Sequence, residues 1–158
     1  EAQGKGQAVL QVVRRFNLPE VPAAAQEAFE VTVDYGTDQV AVDDLITVTA
    51  TVRFAPPEPV EAGMVVLDVA VPTGFAPVRE SLGALVEREP LLKRYDVAGR
   101  KVIFYIEDMR PGDALTLAFQ ARALYPVRAQ AVASQAYSYY NPALRGEALG
   151  GALTVTER

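Results

Sequence analysis

An all-β fold, an antiparallel sandwich of about eight or nine strands with one short helix near residues 78–88, is the class this chain predicts. Three observations carry the prediction. Apolar and polar residues alternate along most of the 158 residues, the period of a strand with one face buried. Turn-forming groups recur at hairpin-length intervals between those runs. The period changes from two to about 3.6 after Pro72-Thr73-Gly74, where a strand hands over to a helix.

Taken in order, residues 4–17 (GKGQAVLQVVRRFN) alternate and read as a strand. Residues 18–26 (LPEVPAAAQ) hold two prolines and an alanine run without a helical cap, so they read as a linker and set a boundary between residues 1–27 and a domain over 28–158. In residues 29–35, Phe29, Val31, Val33 and Tyr35 share one face; a turn-rich stretch then leads to residues 45–54 (LITVTATVRF), a neighbouring antiparallel strand. The three prolines of residues 55–63 remove ladder donors, which predicts an ordered, unpaired, solvent-facing loop.

Residues 64–71 place Val66, Asp68 and Ala70 on one face and Val65, Leu67, Val69 and Val71 on the other, so the second face is the one to bury. Pro77 suits a first helical position, and Val78, Leu82, Leu85 and Val86 then recur at i, i+4, i+7 and i+8 as one apolar stripe. Residues 92–97 and 101–107 around Ala98-Gly99 predict a hairpin. The turn Arg110-Pro111-Gly112-Asp113 precedes a long strand over 114–124, which Pro126 ends. Residues 127–140 alternate again, and 150–156 form a last short strand. No internal repeat is visible.

With 50% hydrophobic residues the chain can build one substantial core. Its apolar runs fall short of the roughly 20 residues a membrane helix needs, so no membrane insertion is expected. Lys+Arg 15 against Asp+Glu 20, a net charge of -5, argue against a nucleic-acid partner. Without cysteine there is no disulfide, thiolate chemistry or cysteine-ligated zinc. Without histidine most hydrolase triads are excluded. The first residue is Glu1 and no charged-then-apolar leader follows, so the chain reads as a mature product or an excised fragment.

Three clusters invite a chemical reading, each with a plainer alternative. Asp34, Asp38, Asp43 and Asp44 crowd one turn, as ligands of a hard cation do, but they lack the glycine and terminal glutamate of a calcium loop and equally suit a polar turn. Asp68, Glu107 and Asp108 are candidates for a carboxylate pair, against ordinary acids on solvent-facing positions. Tyr137, Tyr139 and Tyr140 suit a contact surface; the favoured reading is core packing, because Tyr137 and Tyr139 fall on one face. The best-placed docking residues are Arg79, Glu80, Glu87, Arg88, Lys93 and Arg94, on the polar side of the lone helix and just after it.

In this order along the chain stand GMVVLDVAVPTGFAP (63–77), the helix with Leu82, Leu85 and Val86, RYDVAGRKVIFYIEDM (94–109), LTLAFQA (115–121) and AYSYYNP (136–142). Together these blocks resemble the C-terminal receptor-binding, macroglobulin-type domain of the α2-macroglobulin family of thioester proteins, over about residues 28 to 156. Residues 4–17 resemble the strand that closes the preceding CUB-like domain in that family. The resemblance implies a macroglobulin-type β-sandwich with one helix at the end of a protease-trapping molecule. No catalytic residue, metal or cofactor is implied. The partners implied are the thioester and CUB-like domains of the parent, trapped proteases indirectly, and a protein receptor.

In vertebrate members two lysines about one turn apart on the helix recognise the receptor, and they correspond here to Arg79 and Gly83. Arg79 keeps the charge without the ammonium geometry and Gly83 has no side chain, so the chain departs from that pattern. Its lack of cysteines and its richness in Ala, Val and Arg resemble bacterial members, which implies an extracellular or periplasmic location. The expectation is a non-catalytic C-terminal domain of a protease inhibitor, working by domain contact. The rival is a structural or adhesive sandwich module of a cell-surface or periplasmic protein.

Overall fold

The computed structural model describes residues 26–157; the strand expected over residues 4–17 and most of the linker lie outside the described residues. Thirteen strands and one helix follow in order: β1 (Gln26–Glu27), β2 (Phe29–Asp34), β3 (Gln39–Ala41), β4 (Leu45–Phe54), β5 (Val65–Ala70), β6 (Phe75–Pro77), α1 (Arg79–Arg88), β7 (Leu92–Ala98), β8 (Lys101–Ile106), β9 (Ala114–Ala123), β10 (Val127–Gln130), β11 (Ser134–Ser138), β12 (Leu144–Ala148) and β13 (Ala152–Thr156). The all-β sandwich with one short helix is as expected, and the strand count exceeds the expected eight or nine. The additional strands are mostly the two- and three-residue pieces β1, β3 and β6, together with β12.

The strands form a six-stranded sheet, β1-β12-β11-β5-β8-β7, a four-stranded sheet, β2-β4-β9-β6, and a three-stranded sheet, β10-β13-β3. Pairing is antiparallel except for β1 with β12 and β13 with β3. Alternation decides which residues enter the core. On β4 and β9, Ile46, Val48, Ala50, Val52 and Phe54 face Leu115, Leu117, Phe119, Ala121 and Ala123, all buried, while the residues between them point outward. Phe119 meets Phe104 of β8 across the sandwich with ring centroids 5.8 Å apart. Phe29 packs on Phe54 at 4.9 Å and pins β2 to β4.

Four expectations are corrected. β5 is buried on both faces, because its outward Val66 lies in register between Tyr105 of β8 and Tyr137 of β11. Residues 127–140 are two strands, since the chain leaves the three-stranded sheet after Gln130 and joins the six-stranded one at Ser134. Pro77 ends β6, and the residue preceding the helix is Val78. The hairpin turn consists of Gly99 and Arg100, with Gly99 at φ 60°, a conformation that favours glycine.

Tyr35 donates its hydroxyl to the Ala70 carbonyl at 3.0 Å from a buried position, tying the end of β2 to β5. Desolvation pushes its phenol up to about 12. Between pH 10 and 12 the folded chain therefore holds a proton that the unfolded chain releases, and stability falls as pH rises through that window. Tyr35→Phe is expected to be less stable than the native chain at pH 8 by about 1 kcal/mol, the net worth of one hydrogen bond. That gap should close and then reverse by pH 12, because the raised phenol removes roughly 2 kcal/mol of native stability over that window, a trend that thermal melts of both proteins would reveal. A gap independent of pH would show that the phenol ionises as freely in the folded state as in the unfolded one.

Candidate functional site

α1 exists where it does because β9 has an edge to protect. β6 pairs with β9 from Phe75 to Pro77, and beyond it Val78 N–H donates to the Gln120 carbonyl at 2.8 Å. The Gln120 N–H donates in turn to Ser81 Oγ at 3.0 Å, so the first turn of the helix takes over the role of a strand. Leu82 and Leu85, at 0% and 1% exposure, enter the core from the helix, which packs against β9 on one side and β7 on the other. Glu80 in the first turn and Arg88 in the last complement the helix dipole, and Pro90 follows the end at Glu89.

The six expected docking residues are exposed, and the fold distributes them unevenly. Glu87, Lys93 and Arg94 come together with Gly83, Val86 and Tyr95 around a shallow groove of about 320 Å³ between α1 and β7. Arg79 and Glu80 sit at the other end of the helix, beside Pro77, Arg122 and Leu124. Arg88 lies near Glu89 at 3.5 Å. Lys93 pairs with Glu107 at 3.3 Å, and Arg94 pairs with Asp96 at 2.7 Å. These pairs are largely exposed, so each contributes a few tenths of a kcal/mol to about 1 kcal/mol at most; their charges remain available for a partner.

Of the four crowded aspartates, Asp34 and Asp44 are engaged locally through their side chains. Asp34 Oδ1 accepts from Gly36 N–H at 2.9 Å, Asp44 Oδ2 accepts from Ala41 N–H at 3.0 Å, and Asp43 adopts φ 72° with its carbonyl taking a bond from Arg122. Among the described residues no three His, Cys, Asp or Glu side chains gather to hold a cation. Of the carboxylates Asp68, Glu107 and Asp108, Asp68 lies apart from the other two. Asp68 is in register with Ile103, so Glu107 stands four residues further along the strand direction, roughly 13 Å away. Asp68 instead accepts from Lys101 Nζ at 2.6 Å.

The tyrosines overturn the core-packing reading. Ser134, Ala136 and Ser138 face inward from β11, whereas Tyr137 is half-buried on the outer face and Tyr139 and Tyr140 are 55% and 75% exposed. The inward positions must be small because β2 passes close to this end of the sheet: a Cβ at Gly146 of β12 would lie far inside van der Waals contact distance of the Phe29 carbonyl oxygen. Sequence reasoning also missed Tyr105 and Arg145, which share the outer face with Tyr137. Arg94 lies over the Tyr105 ring, 3.7 Å from its centroid. The Tyr105 phenol is raised by desolvation and by its bond with Asp96, against the lowering effect of Arg94. The signal that would have placed Tyr105 outward is its position two residues from Ile103 and four from Lys101, on the face opposite Val102, Phe104 and Ile106.

Against known proteins, the A-macroglobulin receptor binding domain pattern matches residues 60–149, a span that holds the helix, the groove and this sheet face. No curated protein sequence matches the chain. The fold is similar to native alpha-2-macroglobulin from Escherichia coli solved from domain MG7 to the C-terminus, with TM-score 0.68 and 17% identity over 87% of this chain and 25% of that one. Salmonella alpha-2-macroglobulin reacted with methylamine gives TM-score 0.66 and 19% identity over 87% of this chain and 10% of that one. Trypsin-activated alpha-2-macroglobulin from Escherichia coli gives 0.64 and 16%, over 83% and 10%. At these identities the likeness is one of fold, and the chain spans a quarter to a tenth of the length of these structures.

Proposed function

The chain belongs to the A-macroglobulin receptor binding domain family, and from that premise we propose that it is the non-catalytic C-terminal domain of an alpha-2-macroglobulin-like protease inhibitor. In this reading it works by contact. It holds the thioester domain of the parent in the native arrangement and gives up those contacts when the parent is cut, a rigid-body switch between two packed states. We place the parent outside the cell or in the periplasm; no helix among the described residues is long and apolar enough to cross a membrane. A receptor, where one exists, would meet the same helix with Arg79 and no lysine partner at Gly83.

The observation that carries the reading is the groove between α1 and β7. Glu87, Lys93 and Arg94 surround the apolar Val86 and Tyr95 there, on a helix anchored in the core by Leu82 and Leu85. Rigid anchoring, a small apolar centre and a charged rim are the features of a surface that recognises another protein.

The test uses the full-length parent. Incubated with trypsin, it should leave the protease active on a small peptide substrate and inactive on a large protein. Glu87→Lys with Lys93→Glu should loosen the native parent, raising its radius of gyration in solution scattering before any protease is added, while the melting temperature of the 158-residue chain stays within about 2 °C. Unhindered cleavage of the large substrate would refute the inhibitor reading and favour a structural or adhesive module. Trapping with unchanged native dimensions would remove the groove from the mechanism.

A further inference from the structure

The outer face of the six-stranded sheet has a composition that solvent alone does not explain. Across β7, β8, β5, β11 and β12 the register lines up Arg94, Tyr105, Val66, Tyr137 and Arg145 in one row. Val66 is 3% exposed at its centre. Asp68 lies in the adjacent row, 8% exposed; its Oδ2 takes the bond from Lys101, and its Oδ1 is buried with no hydrogen-bond partner among the described residues. A carboxylate oxygen taken out of water without a partner is costly. Tyrosine and arginine around a desolvated centre are what protein contacts are enriched in. The four-stranded sheet differs: its outer face carries Thr32, Thr47, Thr49, Thr51 and Thr116.

Two facts select the occupant. The chain reaches the domain at this sheet's edge, where Gln26 N–H donates to the Ala143 carbonyl at 2.9 Å and Glu27 sits in register with Arg145. The chain thus enters the described domain on the edge of the same sheet. The second fact is size: five strands about 4.8 Å apart and about 20 Å long offer roughly 400 Å² per side. The total of roughly 800 Å² is below the 1,200–2,000 Å² that independent partners bury, and within the range of about 600–1,500 Å² for domains of one chain. A tether makes such a small contact sufficient by raising the effective concentration.

We propose that this face docks the domain that precedes it in the same polypeptide, through a surface that covers Tyr105 and Tyr137 and sets carboxylates opposite Arg94 and Arg145. The contact shares Arg94 with the α1–β7 groove and otherwise uses different residues. It rests on the chain being one domain of a longer protein and needs no protease-trapping role.

Hydroxyl-radical footprinting of the 158-residue chain and of the full-length parent tests it. Oxidation of Tyr105 and Tyr137 should fall at least five-fold in the parent, and Arg145→Glu in the parent should restore it, with the melting temperature of the 158-residue chain carrying the same change within about 2 °C of its native value. Equal oxidation of both tyrosines in chain and parent overturns the inference. If Val86 and Tyr95 are protected in that case, the groove reading survives alone; if they too are equally oxidised, both contacts fall.

Discussion

Gly146→Ala is expected to lower the melting temperature of the chain by roughly 10 °C, from a destabilisation of about 3 kcal/mol and a size-scaled shift of about 3 °C per kcal/mol. Gly146 is buried in β12, and an added Cβ would collide with the backbone of Phe29 on β2. The backbone cannot retreat easily. Phe29 is 5% exposed, its ring is stacked on Phe54, and its strand is paired with β4 through Asp34. Overpacking of this kind moves strands, because interiors are already close-packed. Calorimetry of the variant checks the value, with Gly83→Ala as control, since a Cβ on that helical glycine meets nothing within 4 Å. A Gly146→Ala chain that melts within about 2 °C of the native one would mean that β2 and β12 separate freely, contrary to the packing described.

Leu82→Ala should cost about 3 kcal/mol, within the range of about 2–5 kcal/mol for deleting a buried leucine side chain. Leu82 is 0% exposed and is one of two residues by which α1 closes the side of the sandwich between β9 and β7. Losing it removes apolar contact on both strands and weakens the anchorage of the groove. The expected result is a fall in melting temperature of roughly 10 °C together with faster amide exchange in residues 79–88 than in β4 or β9. Arg79→Ala, on the exposed side of the same helix, should shift stability by less than about 0.5 kcal/mol. If both variants behave alike, the helix is not held by the core, and its groove is no rigid surface.

The exposure of Arg79, Glu80, Glu87 and Arg88, four of the six residues expected to dock, was legible, because a polar helical stripe lies opposite the apolar one. The division of the six into Glu87, Lys93 and Arg94 at one groove and Arg79 and Glu80 at another was not, because it depends on where β7 and β9 meet the helix. The outer sheet face was less legible still. Tyr105 and Tyr137 are 32 positions apart in the chain, and it takes the pairing of β8 and β11 on either side of β5 to bring them into one row with Val66.

By itself the sequence determined what is local: the alternation that makes β2, β4 and β9 strands with one face apolar, the switch of period that makes α1, and the turns at Gly99 and at Arg110 to Asp113. These rest on backbone geometry over a few residues, which side-chain pattern and glycine conformation record directly. The tertiary structure alone decided which strands share an edge and which face of each meets water. β1, β3 and β6 are too short to have a period, and they are strands because β12, β13 and β9 offer them unpaired backbone groups. Likewise Ala136 points inward and Tyr137 outward because β2 leaves no room for a ring beside Gly146, a constraint set by a strand more than a hundred residues away.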